Sequence, residues 1–270
     1  MTAKQLFAIV VLIVVVAAET YRPFFPSQQR SWRDRLWHDG RNFFLATLNA
    51  VLSAAIVVWV LVSLDRWAEA NHIGLLRQFA MPAWLGGAIA LLLFDLWMYW
   101  WHRLNHRIGW LWRFHRVHHC DPAMNASTGV RFHFGEVFLS WLARLIVLPL
   151  LGMSITQLAA YESAAFAVVV FHHSNLHVPW WVDRLVNCLV VTPAMHRVHH
   201  SRLREETNSN YSSLFPWWDR LFQSLKVRND LENIEYGLDD GLSDPEWQSV
   251  TGLIRMPLAG ETNSSTKSGQ

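Results

Sequence analysis

"AIALLLFDLWMYWWHRLNH", residues Ala88–His106, joins an apolar run to a pair of imidazoles. The run, Ala80–Trp101, is long enough to cross a hydrocarbon core as a helix. Its end is HxxxH, and residues four apart on a helix share one face. His102 and His106 are therefore delivered together at the boundary of a membrane. This reading sets the fold class: an all-α integral membrane bundle of about four or five membrane helices, with chemistry gathered at one end.

The rest of the chain extends the pattern. Apolar runs at Leu6–Ala18 and Phe43–Leu64 precede it, and Val137–Phe171 follows, notched at Pro149 and Gly152 into a hairpin of two helices. "WWVDRLVNCLVV" (Trp180–Val191) is too short and too charged to span and reads as an interfacial amphipathic segment. Leu6–Ala18 resembles a signal peptide in length. The segment after it, however, carries Arg22, Arg30, Arg33, Arg35 and Arg41, and exporting it would oppose the positive-inside rule. An uncleaved anchor with a cytoplasmic basic loop is expected. Counting spans from that loop puts both later histidine regions on the cytoplasmic side.

Composition agrees. Of 270 residues, 52% are hydrophobic and 16% charged, more apolar and less charged than soluble chains. A net charge of +2 gives no footing for nucleic acid, and the two cysteines, Cys120 and Cys188, are too few and too far apart for a disulfide framework or a thiolate site. One domain over 1–258 is expected, with a disordered tail at 259–270.

Histidine is the unusual component, with fourteen in all. "HRVHH" occurs at His115–His119 and again at His196–His200. Each copy sets three imidazoles, His115, His118, His119 and His196, His199, His200, on one helical face. "HSNLH" repeats the four-residue spacing with His173 and His177, leaving His172 a bystander rotated away. Together with His102 and His106 these are ten candidate ligands, too many for one metal and suited to two. Isolated histidines such as His38 and His72 read as ordinary hydrogen-bonded residues. Imidazole suits iron, zinc, copper and nickel alike, but two metals among neutral imidazoles keep a high positive charge, a setting for iron that reduces dioxygen.

The order HxxxH, HxxHH, HxxxH, HxxHH, with "DLWMYWWHRLNH", "RFHFGE", "FHHSNL" and "HRVHHS…NSNYSSLFPWWDRLFQS", resembles the fatty acid hydroxylase / sterol desaturase superfamily over about residues 88–225. The resemblance implies a cytosolic histidine-rich metal-binding cap with two iron ions, zinc being a possible replacement, and O2 as co-substrate. It implies hydroxylation of a fatty acyl, sterol or related C–H bond by hydrogen abstraction and rebound, with desaturation as the near alternative. The ten histidines match its ligand positions, and His133 matches a recurrent position outside them. Phe134 and Ser212 stand where the family often has proline and glycine, which bears on subfamily rather than chemistry. Electrons would come from a separate protein of cytochrome b5, ferredoxin or reductase type, since the chain carries no haem-attachment CxxCH and no iron–sulfur cysteine set. A metal transporter or a noncatalytic metal-binding scaffold is the alternative of another class.

Supporting residues are expected near the histidines. Asp95 lies in an apolar run on the face of His102, and an intramembrane carboxylate is a functional candidate. With His133 and Glu136 it is assigned to hold ligand imidazoles by their second nitrogen. Glu162 sits mid-hairpin without a nameable partner, "WMYWW" reads as an aromatic belt, and Asp219 reads as a structural pin.

Overall fold

The computed structural model describes residues 3–26 and 31–260, and of residues 54–58 only the helical backbone. Arg30 and all but the first two residues of the expected tail lie outside the described residues. Among the described residues eleven α-helices carry the fold and no strand forms, only two isolated bridges.

Among the described residues four helices have the length and apolarity to cross a membrane: α1 (Ala3–Tyr21), α3 (Ala83–Arg107), α5 (Phe134–Leu151) and α6 (Ile155–His173). The run Phe43–Leu64 lies inside the long α2 (Trp32–Ala70). The chain is an integral membrane protein. Its outward apolar side chains, among them Ile13, Val14, Trp59, Trp84 and Ile146, are exposed, as lipid-facing side chains should be. The interior face packs Phe94, Leu158 and Tyr161 with Leu61 and Leu148.

The hairpin forms where the punctuation lies. Helix α5 runs through Pro149 to Leu151 and stops at Gly152, whose left-handed φ of 77° favours glycine. A capping box, Ser154 with Gln157, starts α6. Gly74, in the turn after α2, packs on Gly152 so closely that a Cβ there would strike its Cα.

Beyond the spans lies the cap. It is built from α4 (Gly109–His119), α7 (Trp180–Val186), α8 (Pro193–His199), α9 (Arg204–Thr207), α10 (Trp217–Leu221) and α11 (Val250–Arg255). Helix α7 leaves Trp180, Trp181 and Leu185 exposed, matching an interfacial segment. Helix α1 is tied to the cap by buried Glu19, which accepts from the backbone N–H of Ala126 (3.0 Å) and Asn175 (2.8 Å) and pairs with Arg35 (2.8 Å).

Asp95 has a different task from the one expected. It is buried, but its carboxylate accepts from Tyr161 Oη (2.7 Å), Trp218 Nε1 (2.7 Å) and the Phe215 N–H (3.2 Å), not from a histidine. The donors come from α6 and from the chain around α10, remote in sequence. Asp95 thus fastens the cap to the membrane bundle. Asp95→Asn puts an amide N–H where an acceptor is needed and should cost on the order of 3 kcal/mol of stability. Detergent melting should show the loss, while metal per folded chain stays at the wild-type value. Metal loss without destabilisation would contradict this.

His38 is buried, as a hydrogen-bonded residue, between Asp121 (2.9 Å) and Asp39 (3.1 Å). Burial alone would lower its pKa, but the charge and hydrogen bond of Asp121, with that of Asp39, raise it to about 9. The stabilisation is fully present below the ordinary histidine value of about 6.5 and is lost as pH rises through about 9. Between pH 7 and 10 the melting temperature of the wild type should fall more steeply than that of His38→Gln. Equal slopes would contradict the ion pair.

Candidate metal centre

Nine of the ten candidate ligands converge, in two groups. His102, His106, His115, His119 and His199 offer ring nitrogens that all lie within 4.8 Å of one another; His118, His173, His196 and His200 do the same. The repeated pentapeptide divides between them. On α4, His115 and His119, one turn apart, serve the first group and His118 the second. The second copy is reversed: His196 and His200 serve the second group and His199 the first. Adjacent positions on a helix diverge by about 100°, so each HxxHH reaches both groups. The groups abut, with the rings of His119 and His200 stacked at 4.4 Å.

Hydrogen bonds fix several tautomers. Nδ1 of His102 donates to the Tyr211 carbonyl (2.7 Å), that of His199 to the Ser209 carbonyl (2.6 Å) and that of His173 to the Val169 carbonyl (2.7 Å). Nδ1 of His115 faces Glu136 Oε1 at 2.8 Å. In each neutral ring the proton is on Nδ1, so Nε2 presents a lone pair. Yet Nε2 of His102 lies 3.0 Å from that of His199 and 3.1 Å from that of His115. In the second group, His173 Nε2 lies 3.0 Å from Nε2 of both His118 and His196. In the first group both facing nitrogens carry lone pairs, which at this range repel unless a cation lies between them.

The spacing fits such a cation. Nitrogens about 2.1 Å from one metal sit about 3.0 Å apart at right angles and about 3.4 Å apart at tetrahedral angles. Both ring nitrogens of His106 and of His200 are buried without a hydrogen-bond partner among the described residues, a costly state that a metal bond would relieve. Burial first, and the neighbouring imidazoles next, hold His118, His119, His196 and His200 well below the ordinary histidine range. His199 is pushed down to about 3 by burial. Neutral imidazole is the form that binds metal.

His177 is not brought to either group. Helix α6 ends at His173, and Ser174 turns the chain into extended backbone. Beyond a helix end the four-residue spacing no longer implies a shared face. His177 is exposed, its N–H bonds the Arg22 carbonyl (2.7 Å) and its ring stacks on Phe24 at 6.0 Å. The neighbour set aside, His172, is buried with its ring 4.0 Å from that of His196. His133 is corrected as well: its Nδ1 accepts from the Gly135 N–H at the start of α5 (2.9 Å) and its Nε2 faces the Ile254 carbonyl (3.1 Å). It caps a helix and does not hold a ligand ring. Glu136 alone of the three expected supports touches a group member. The carbonyls of Tyr211, Ser209 and Val169 carry no side-chain signature and escaped sequence reasoning. Asp219 secures one of them, the Tyr211 carbonyl, by accepting from the N–H groups of Tyr211 and Ser212 on either side of it (both 2.8 Å).

Both groups open on one cavity of about 460 Å³. Helix α5 packs on α2 and α6 on α1, and the cavity runs between α5 and α6, past Trp101, Val137, Trp141, Ala165, Phe166 and Val169. Its volume suits one lipid-sized ligand.

Comparison with known proteins agrees with this arrangement. The family model described as fatty acid hydroxylase matches residues 87–224. Alkylglycerol monooxygenase of Danio rerio is 28% identical over 225 residues, 78% of this chain and 46% of that one. Human cholesterol 25-hydroxylase is 30% identical over 139 residues, 51% of this chain and 50% of that one. This chain spans about half the length of these relatives. No solved structure matches it.

Proposed function

Because the chain belongs to the fatty acid hydroxylase family, we propose that it is a membrane di-iron oxygenase that hydroxylates a lipid C–H bond. The carrying observation is the set of facing Nε2 lone pairs at 3.0–3.1 Å, opening on a lipid-sized apolar cavity. The five-histidine group would hold one iron and the four-histidine group the other. When bound, the irons supply reductive activation of O2: R–H, O2, two electrons and two protons give R–OH and water.

The chain's own residues do the rest. Carbonyls of Tyr211, Ser209 and Val169 keep the proton of each ring on Nδ1, leaving Nε2 free to bind. Glu136 does this for His115 with a carboxylate, which raises the basicity of that ring. Apolar side chains along the cavity exclude water and align the substrate. Two names among the relatives, alkylglycerol monooxygenase and cholesterol 25-hydroxylase, support a lipid substrate. The histidines gather at the ends of α3 and α6 rather than near mid-span, which favours an enzyme over a transporter. Arg22, Arg33, Arg35 and Arg41 support a cytoplasmic position for the cap. There a cytochrome b5, ferredoxin or reductase would deliver the electrons.

Labelled dioxygen tests the reading. Iron-loaded protein with an electron donor and membrane lipids should incorporate one 18O atom per product hydroxyl. Incorporation from labelled water only, or none, would overturn it.

A further inference from the structure

Away from Glu136 and the histidines, α5 and α6 bring a charged pair into the cavity wall, Arg144 and Glu162. Glu162 Oε1 accepts from Arg144 Nη1 (2.8 Å) and Oε2 from Lys4 Nζ (2.7 Å). An intramembrane ion pair is expensive and is seldom kept without a task. Packing alone does not account for it, because Arg144 is incompletely used. Its Nη2 reaches only the Met98 sulfur at 3.7 Å, and its Nε is buried with no partner among the described residues. The guanidinium carbon lies over the Trp141 ring, 4.6 Å from its centroid. With Lys4, Arg144 and Glu162 together, the cluster keeps one net positive charge. An apolar cavity therefore ends in a fixed cation with spare donors.

Position gives the consequence. At a rise of about 1.5 Å per residue, Glu162 lies about 16 Å along α6 from His173, and Arg144 about 12 Å along α5 from Glu136. The histidines are at one end of the cavity and the ion pair is towards the other. We propose that Arg144 receives an oxygen acceptor of the substrate, a hydroxyl or a carboxylate, and so directs attack to a carbon remote from that oxygen. The substrate is then a single-chain or similarly slender lipid, bound with its oxygenated end away from the histidine groups. Glu162 positions Arg144 and competes with the substrate for it. This rests on the oxygenase reading for the reaction, but binding can be measured without turnover, so the two fail separately.

The test is equilibrium binding of tritiated hexadecanol, palmitate and hexadecane to the purified, metal-loaded full chain in detergent. Wild type should hold at least one oxygenated probe about tenfold more tightly than hexadecane, a difference of about 1.4 kcal/mol. Arg144→Met should remove that preference while leaving hexadecane binding unchanged. Glu162→Gln, which removes the negative charge that competes for the guanidinium, should tighten the oxygenated probe and keeps the proposal testable if Arg144→Met does not fold. Hexadecanol preferred over palmitate identifies a hydroxyl end, and the reverse a carboxylate. Equal affinity for all three probes, no binding of any, or a preference that survives Arg144→Met would overturn the proposal. So would weaker binding in Glu162→Gln.

Discussion

Alanine at His173 or at His199 is expected to abolish turnover and to remove bound metal, whereas alanine at His177 leaves both intact. His199 Nε2 faces that of His102 at 3.0 Å, and His173 Nε2 faces those of His118 and His196 at the same distance. Each ring is buried and locked by a carbonyl on its other nitrogen, so no other side chain can take its place. The loss should exceed the roughly 10–100-fold cost of disturbing only a ligand's hydrogen-bond partner. His177, exposed against Phe24 beyond the end of α6, has no route to the groups. His172→Ala should retain metal but lower turnover, because its ring supports His196 and lines the cavity. Turnover and metal content of the four purified variants check this. An essential His177 would mean that α6 continues past His173.

Glu136→Gln is expected to lower metal retention or turnover by about 10–100-fold while the protein folds normally. The carboxylate accepts the Nδ1 proton of His115 at 2.8 Å. The neutral amide can present an oxygen in the same place, so geometry survives while the charge that raises the basicity of the ring is lost. Glu136→Ala should cost more, since the Nδ1–H would then be buried without an acceptor. Metal dissociation rates in a chelator compare the two variants directly. Indistinguishable rates for wild type and Glu136→Gln would leave Glu136 as a wall of the cavity only.

The membrane architecture was legible because lipid imposes long apolar runs and because Gly152, with Pro149 just before it, marks the hairpin turn. Most of the metal centre was legible for a related reason: HxxHH is a helical pattern, α4 is helical through its histidines, and α8 runs to His199 with His200 as its cap. His177 failed where that condition failed, since Ser174 ends α6 three residues short of it. Asp95 was legible as a costly carboxylate but not in its partners. Trp218 lies far along the chain, and no local rule shows which strand of the cap folds back onto α3. The carbonyls that lock His102, His173 and His199 are invisible in principle, every residue having one. Glu162 gained its partners, Arg144 and Lys4, only when three helices were brought together.

Metal stoichiometry tests the two-metal centre most directly. Elemental analysis of intact protein prepared with iron should give two metal ions per chain, falling to one or none in His199→Ala. With zinc in place of iron in overexpressed protein, a replacement that imidazole favours over ferrous iron, two ions should still be counted. One metal per intact wild-type chain, or none under iron-replete conditions, would contradict a centre built from both histidine groups.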